Sequence, residues 1–317
     1  LFRSFFILSK IIGAAARLYL VAIILQTLVF DQWHIPFFVT VTGIILLIWA
    51  YTFRSGIKTI IWTDTLQTSS LILGVILIIW QVASKMDLDI SQAINVISNN
   101  EHSRIFVFDD WASRQNFFKQ FLSGVFITIV MTGLDQDMMQ KNLTCKSLKD
   151  AQKNMVTYGF AFIPINLLFL SLGVLLILFA SQFNITLPQH SDQILPVMAT
   201  EYLGFPVLIF FTIGIIAAAF SSADSALTAL TTSVCIDILN IKRDNEEQAK
   251  KIRKRVHQFV SLAFLLVILI INSIHQENVL DTIYKVASYT YGPLLGLFFF
   301  GLFSKVSIRD KYVPYIC

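Results

Sequence analysis

The sequence predicts an all-α polytopic membrane protein with about eight transmembrane helices. Two features of the composition support this fold class: 56% of the 317 residues are hydrophobic, and only 14% are charged. A soluble domain has roughly 45–50% apolar residues and about 25% charged ones. The third feature is the regular return of apolar stretches along the chain. Together they exclude a soluble enzyme, a nucleic-acid-binding protein and a disordered chain.

Eight stretches approach the roughly 20 apolar residues that a membrane helix needs. We label them spans a to h, near residues 5–30, 33–53, 59–84, 115–140, 155–182, 206–238, 256–275 and 279–304. The c–d and e–f connections are the longest predicted outer segments, and short surface helices fit there. The chain begins with Leu, and its last residues resemble the start of another span. We therefore expect a single transmembrane domain, 1–317, that is part of a longer protein.

Basic residues alternate between the two ends of successive spans, which predicts the orientation. They cluster after spans b, d, f and h, at Arg54, Lys58, Lys141, Lys146, Lys149, Lys153, Lys242 to Arg255, Lys305, Arg309 and Lys311. The a–b, e–f and g–h connections lack Lys and Arg, and the c–d connection is net acidic. The positive-inside rule then places the start of span a in the cytoplasm, in a multi-pass plasma (inner) membrane protein. The basic f–g linker is expected to touch anionic lipid.

Polar groups at membrane depth are functional candidates because their burial in lipid costs free energy. The first candidate is Asp64 in Trp62–Gln67, near the predicted inner end of span c. One interpretation is a helix-start residue favoured by the helix dipole. The other is a wettable face, which Thr68, Ser69 and Ser70 extend into the bilayer. Both remain open from the sequence.

Span d is interrupted by a short polar segment. Its apolar run, Phe121 to Leu134, is too short to cross a bilayer alone and ends in Thr132-Gly133-Leu134-Asp135-Gln136-Asp137. A Gly-interrupted segment beside carboxylates is typical of the broken helices that line transporter sites. An ordinary helix with a long cytoplasmic extension is the alternative.

Span f contains the sharpest candidate, the run Ala217 to Ser225. At helical spacing Ala218, Ser221, Ser222 and Ser225 share one face, and Asp224 lies beside it. Small residues and hydroxyls can serve close helix packing alone. That explanation leaves the carboxylate unaccounted for, whereas a cage for a small hard cation needs several oxygen ligands. Sodium fits such a cage without His or Cys.

The histidines, the cysteines and a proline in span h also bear on the function. The first two argue against an enzyme, and the proline could form a hinge. The five His residues (34, 102, 190, 257 and 275) are expected in loops or at span ends, so no catalytic residue is predicted. The three Cys residues form no metal-binding or redox spacing. The segment Tyr289–Pro293 in span h contains a proline that predicts either a kink or simple packing.

Four of these segments together resemble the sodium:solute symporter family, the group that includes sodium–glucose, sodium–proline and sodium–sialic acid cotransporters. They are WTDTLQ (62–67), GLDQDMMQKNL (133–143), AAAFSSADSALTAL (217–230) and SYTYGPLLGLFFFGL (288–302). They resemble parts of the family's fifth, sixth, eighth and tenth core helices, in that order. The family usually has Arg where Lys141 stands, and Met in the bacterial members where Phe220 stands.

The resemblance implies a leucine-transporter-like five-plus-five inverted repeat that lacks its first two core helices, with spans a to h as core helices three to ten. It implies a primary sodium site at the Ala218 carbonyl and the Ser221 and Ser222 hydroxyls. A second cation site is implied at Asp64, Ser221 and Ser225, where Asp224 replaces a hydroxyl of the family. Substrate contacts are expected at Gly133, Asp135 and Gln136.

The expected function is sodium-coupled uptake of a small polar solute by alternating access. A sugar, amino acid, sialic acid, vitamin or small anion fits the resemblance. The expected partners are this solute, the coupling Na+ and membrane lipid, with no nucleic acid and no enzymatic activity. The alternative is a sensory or receptor-like membrane domain with the same fold that transports nothing. The 317 residues alone are expected not to transport, because the family's first core helix completes the primary site.

Overall fold

The computed structural model describes residues 2–52, 57–134, 136–189, 191–241, 246–273, 289, 292–293 and 295–305. Within these ranges the regular secondary structure is helical. The α-helices are α1 (Phe2–Leu25), α2 (Phe37–Thr52), α3 (Ile57–Lys85), α4 (Ile90–Ser98), α5 (Phe117–Thr128), α6 (Gln136–Asn142), α7 (Leu148–Gln182), α8 (Ile194–Val197), α9 (Phe205–Ser233) and α10 (Glu246–Ser273). Residues 295–303 are helical as well.

Long apolar helices confirm the predicted all-α class. Four stretches of the described residues are long and apolar enough to cross a membrane: Ile61–Lys85, Leu148–Gln182, Phe205–Ile236 and Glu247–Ser273. Shorter apolar helices at Ile11–Leu25, Phe37–Thr52 and Phe117–Thr128 coincide with spans a, b and d. Most of the first half of span h, including Thr290 and Tyr291 of the predicted kink, lies outside the described residues. The c–d and e–f connections carry the short helices α4 and α8.

Four of the helices continue into a five-residue π-helical turn. These turns are Gln26–Phe30 after α1, Ile129–Gly133 after α5, Met198–Tyr202 after α8 and Val234–Ile238 after α9. In a π-helical turn each carbonyl accepts from the N–H five residues further along instead of four, and such turns are frequent at functional sites. The turn after α5 falls on the predicted interruption of span d.

The chain divides into two compact units. The first comprises Leu1–Trp62, Ile127–Gln140 and Ala219–Cys317. Its core is apolar, and small residues such as Ala15, Ala22 and Ala223 let α1 and α9 approach their neighbours closely. The buried amide of Gln26 closes the α1–α2 turn, because it donates to Asp31 Oδ1 and to the Ile35 carbonyl, both at 2.6 Å.

The second unit comprises Thr63–Phe126 and Lys141–Ala218. Here α3 and α9 pack at two glycines: a Cβ on Gly74 would lie 3.2 Å from the Phe210 carbonyl oxygen, and one on Gly214 would lie 3.5 Å from Leu71 Cδ1. Lys85 Nζ donates to the Tyr202 carbonyl at 2.8 Å. These contacts fix the part of α9 that leads to the hydroxyl run.

Candidate functional site

The three residues expected at the primary sodium site lie in one continuous helix. Ala218, Ser221 and Ser222 lie near the middle of α9, and all three side chains are half-buried. The i, i+3, i+4 spacing puts them on one face, as predicted. Their oxygens are of the kind that a small hard cation binds. The described residues contain no group of three or more His, Cys, Asp or Glu that could hold a metal ion.

Asp224 lies one turn further along α9 and is fully buried. The Tyr51 hydroxyl, at the end of α2, donates to Asp224 Oδ2 at 2.8 Å. The Tyr51 ring stacks on Phe220, with ring centroids 6.2 Å apart. The adjacent Ser225 hydroxyl is buried and has no hydrogen-bond partner among the described residues. The carboxylate is thus held by an aromatic residue that the sequence did not single out.

His257 forms a second polar contact in the same unit. Its Nε2 lies 3.0 Å from Thr52 Oγ1, and its Nδ1 lies 3.1 Å from Thr231 Oγ1. The ring therefore joins α2, α9 and α10, and its residue is only 6% exposed. Span g is predicted to begin at residue 256, so His257 lies at the predicted end of that span. Helix α10 begins ten residues earlier than span g, so His257 lies inside a helix.

Asp64 lies in the other unit and is paired with a lysine. Lys141 Nζ donates to Asp64 Oδ2 at 2.9 Å, and both side chains are about three-quarters buried. Helix α3 begins at Ile57, nearly two turns before Asp64. The helix dipole acts mainly within the first turn. A helix-start role therefore does not explain this carboxylate. Asp64 and Asp224 belong to different units.

The residues expected to contact substrate lie at the interruption of span d. Helix α5 ends at Thr128, the π-helical turn ends at Gly133, and α6 begins at Gln136. This confirms the predicted break in the α-helix. Asp135 lies outside the described residues, and nothing is described of the Gln136 side chain. The substrate role of Gly133, Asp135 and Gln136 stays a prediction.

The chain thus combines helices long enough to cross a membrane, a broken segment after α5 and a hydroxyl run on α9. The profile of the sodium:solute symporter family matches residues 5–308, and the chain belongs to this family. The family consists of transporters, which confirms that the chain is not an enzyme.

Several characterised transporters are similar in sequence. The chain is 25% identical over 265 residues to the sodium/sialic acid symporter SiaT of Proteus mirabilis, covering 80% of this chain and 53% of that protein. It is 23% identical to the sodium/sialic acid symporter NanT of Aliivibrio fischeri, covering 80% and 52%. It is 27% identical to the sodium-dependent multivitamin transporter of Oryctolagus cuniculus, covering 94% and 47%. The chain thus spans about half the length of these relatives.

A solved structure shares the fold. It is described as the substrate-bound outward-open state of a Na+-coupled sialic acid symporter with a novel Na+ site. The similarity has a TM-score of 0.77 at 23% identity and covers 96% of this chain and 63% of that one. At this identity the match establishes the helical fold.

Proposed function

We propose that the full-length protein is a sodium-coupled symporter that takes up a small polar solute by alternating access. The observation that carries the proposal is the half-buried hydroxyl run on α9, in a chain that belongs to the sodium:solute symporter family. The Ala218 carbonyl and the Ser221 and Ser222 hydroxyls would supply oxygen ligands from this helix. The remaining ligands would come from the part of the protein outside the 317 residues.

One sodium ion supplies enough free energy for uptake. A charge that crosses about 100 mV releases about 2.3 kcal/mol. A tenfold sodium gradient adds about 1.4 kcal/mol. Together these sustain roughly 500-fold accumulation of a neutral solute. Coupling requires that the ion and the solute bind the same conformation better than the alternative one.

The solute would bind near Gly133, Asp135 and Gln136. A break in an α-helix exposes backbone donors and acceptors that a polar solute can use, and such breaks line transporter sites. Relatives named for sialic acid and for vitamins make these solutes the first to test. Sialic acid comes first, because two of the relatives carry its name.

The test is uptake of labelled solute by the purified full-length protein in proteoliposomes with an imposed sodium gradient. We expect uptake that requires sodium, and we expect Ser221→Ala and Ser222→Ala each to raise the sodium concentration for half-maximal uptake at least tenfold. A lost ligand to a charged group costs about 1.5–3 kcal/mol, which supports that magnitude.

The matched control is Thr212→Val on the same helix. The Thr212 hydroxyl already donates to the Leu208 carbonyl at 2.7 Å, so its removal should leave sodium dependence unchanged. Sodium binding without any solute accumulation would instead support a non-transporting, receptor-like membrane domain. Unchanged sodium dependence in both serine variants would contradict the assignment of the sodium site to the Ser221 and Ser222 hydroxyls.

A further inference from the structure

We propose that residues 104–121 anchor the chain in the lipid bilayer, with their aromatic side chains at the boundary between phospholipid headgroups and acyl chains. The segment runs from the c–d connection into the first turns of α5. It lies entirely within the second unit. From the sequence alone this connection is expected only to lie outside the bilayer. The anchor does not depend on the proposed function.

Six aromatic rings form one cluster at the start of α5. They are Phe106, Phe108, Trp111, Phe117, Phe118 and Phe121. The shortest centroid distances join Phe117 to Phe108, at 5.1 Å, and to Phe106, at 5.4 Å. Despite these contacts, the five residues other than Phe117 stay exposed, from 49% at Phe118 to 66% at Trp111. An exposed apolar patch of this kind marks an interaction surface.

Hydrogen bonds hold the rings in this arrangement. Asn116 is fully buried, and its Nδ2 donates to the Asp110 carbonyl at 3.2 Å, while its Oδ1 accepts from the Phe118 amide at 3.1 Å. The Phe117 amide donates to the Val107 carbonyl at 2.9 Å. The aromatic side chains are therefore presented by a structured backbone, which is bonded within the segment itself.

The charges of the segment suit a headgroup layer. Arg104 pairs with Asp109, and Asp110 Oδ1 accepts from two nearby backbone amides at 2.8 and 3.2 Å. Both carboxylates are thus engaged within the segment. The Lys119 ammonium lies 6.0 Å from the centroid of the Trp111 ring. A lysine at the start of a span can lay its apolar stem along aromatic rings while its charge reaches the lipid phosphates.

The surroundings of the cluster favour lipid over a protein partner. The exposed apolar surface continues from the cluster along α5 through Leu122, Val125 and Phe126. In the same connection, helix α4 packs on α7 and exposes Ile90 and Ile94, which lie one turn apart. Aromatic rings beside a cation and a short amphipathic helix are both typical of the membrane–water interface. The segment therefore fits the surface of a bilayer.

The first experiment uses a nitroxide spin label on single cysteines in a full-length variant that lacks the native ones. The protein is placed in nanodiscs of phosphatidylcholine and phosphatidylglycerol. Collisions of the label are measured with oxygen, which concentrates in lipid, and with a neutral nickel chelate, which stays in water. We expect the oxygen-to-nickel ratio at Ile105→Cys and Trp111→Cys to be several-fold higher than at Asn99→Cys.

The three positions are matched in exposure and differ in their surroundings. Ile105 is 59% exposed and lies outside the ring cluster, so a label there leaves the cluster intact. Asn99 is exposed in the same connection, directly after α4. A ratio at Ile105→Cys and Trp111→Cys equal to that at Asn99→Cys would overturn the anchor, because the segment would then face water. Shielding from both reagents would overturn it as well, because protein would then cover the cluster.

A second measurement needs no cysteine substitution. The fluorescence difference between the wild type and Trp111→Leu isolates the emission of Trp111. We expect this difference to fall several-fold in bilayers whose lipids carry bromine on the upper acyl chain, because bromine quenches tryptophan on contact. An undiminished difference overturns the anchor. Neither readout involves transport, so a lack of sodium-dependent uptake would contradict the proposed function and leave the anchor standing.

Discussion

Asp224 is a fully buried carboxyl residue in the described part of the first unit. A carboxylate that is fully buried needs compensation from hydrogen bonds or charges, because desolvation of the charged form is costly. The Tyr51 hydroxyl supplies one such bond at 2.8 Å. Tyr51 is 173 residues away in sequence, so the contact links α2 to α9. The hydrogen bond holds α9 in register with α2.

We expect Tyr51→Phe to lower the free energy of unfolding by about 1.5–3 kcal/mol, since a hydrogen bond to a charged group contributes that much. The measurement is the Tm of the detergent-solubilised full-length protein. Tyr158→Phe on α7 is the matched control, because this tyrosine is exposed. Equal Tm values for both variants would show that the Tyr51 bond does not stabilise the fold.

Helix α9 depends on small residues over its whole length. In the first half, Gly74 of α3 lies against the Phe210 carbonyl oxygen of α9, and Gly214 of α9 lies against the Leu71 side chain of α3. The missing side chains of the two glycines let these helices pack closely. In the second half, Ala219 and Ala223 are buried against the core of the first unit. In lipid the hydrophobic effect does not drive helices together. Small residues favour helix contact instead, because close approach increases van der Waals contact.

Gly74→Leu should destabilise the protein, because even a Cβ at this position would lie 3.2 Å from the Phe210 carbonyl oxygen. Overpacking of this kind costs about 1–3 kcal/mol. Gly43→Leu is the control: Gly43 is exposed in α2, and no heavy atom lies within 4 Å of its added Cβ. Thermal melting in detergent should show a lower Tm for the first variant only. A Tm for Gly74→Leu at or above that of Gly43→Leu contradicts the close contact.

At the scale of the whole molecule, large apolar side chains are exposed on the membrane helices. They include Leu47, Leu170, Ile213, Phe259 and Leu266. A soluble protein does not expose apolar patches of this extent. A bilayer accounts for them, because lipid chains solvate apolar side chains as well as a protein core does. The exposure therefore agrees with the apolar composition from which the membrane prediction began.

The predicted orientation can be tested with single cysteines in a full-length variant that lacks the native ones. Asn99→Cys, after α4, should react with a membrane-impermeant thiol reagent from outside intact cells. Lys149→Cys, at the start of α7, should react only after the membrane is permeabilised. Both positions are exposed, so accessibility within the protein is not limiting. Labelling of Lys149→Cys in intact cells would contradict the predicted topology, in which this position faces the cytoplasm.

The sequence by itself determined the fold class, most of the spans and the family. Hydropathy is a local property, and a lipid-facing helix must satisfy its backbone hydrogen bonds internally, so apolar runs translate directly into helices. The motif at residues 217–230 was equally readable, because helical spacing fixes which of Ala218, Ser221 and Ser222 share a face.

Only the tertiary structure decided the partners of the charged and polar residues. Lys141 lies 77 residues from Asp64, and Tyr51 lies 173 from Asp224. Nothing in local spacing encodes such pairs, since each depends on which helices pack together and at what depth. The same holds for His257, which its position in the sequence placed at a span end. Its contacts to Thr52 and Thr231 arise because three helices meet at that level.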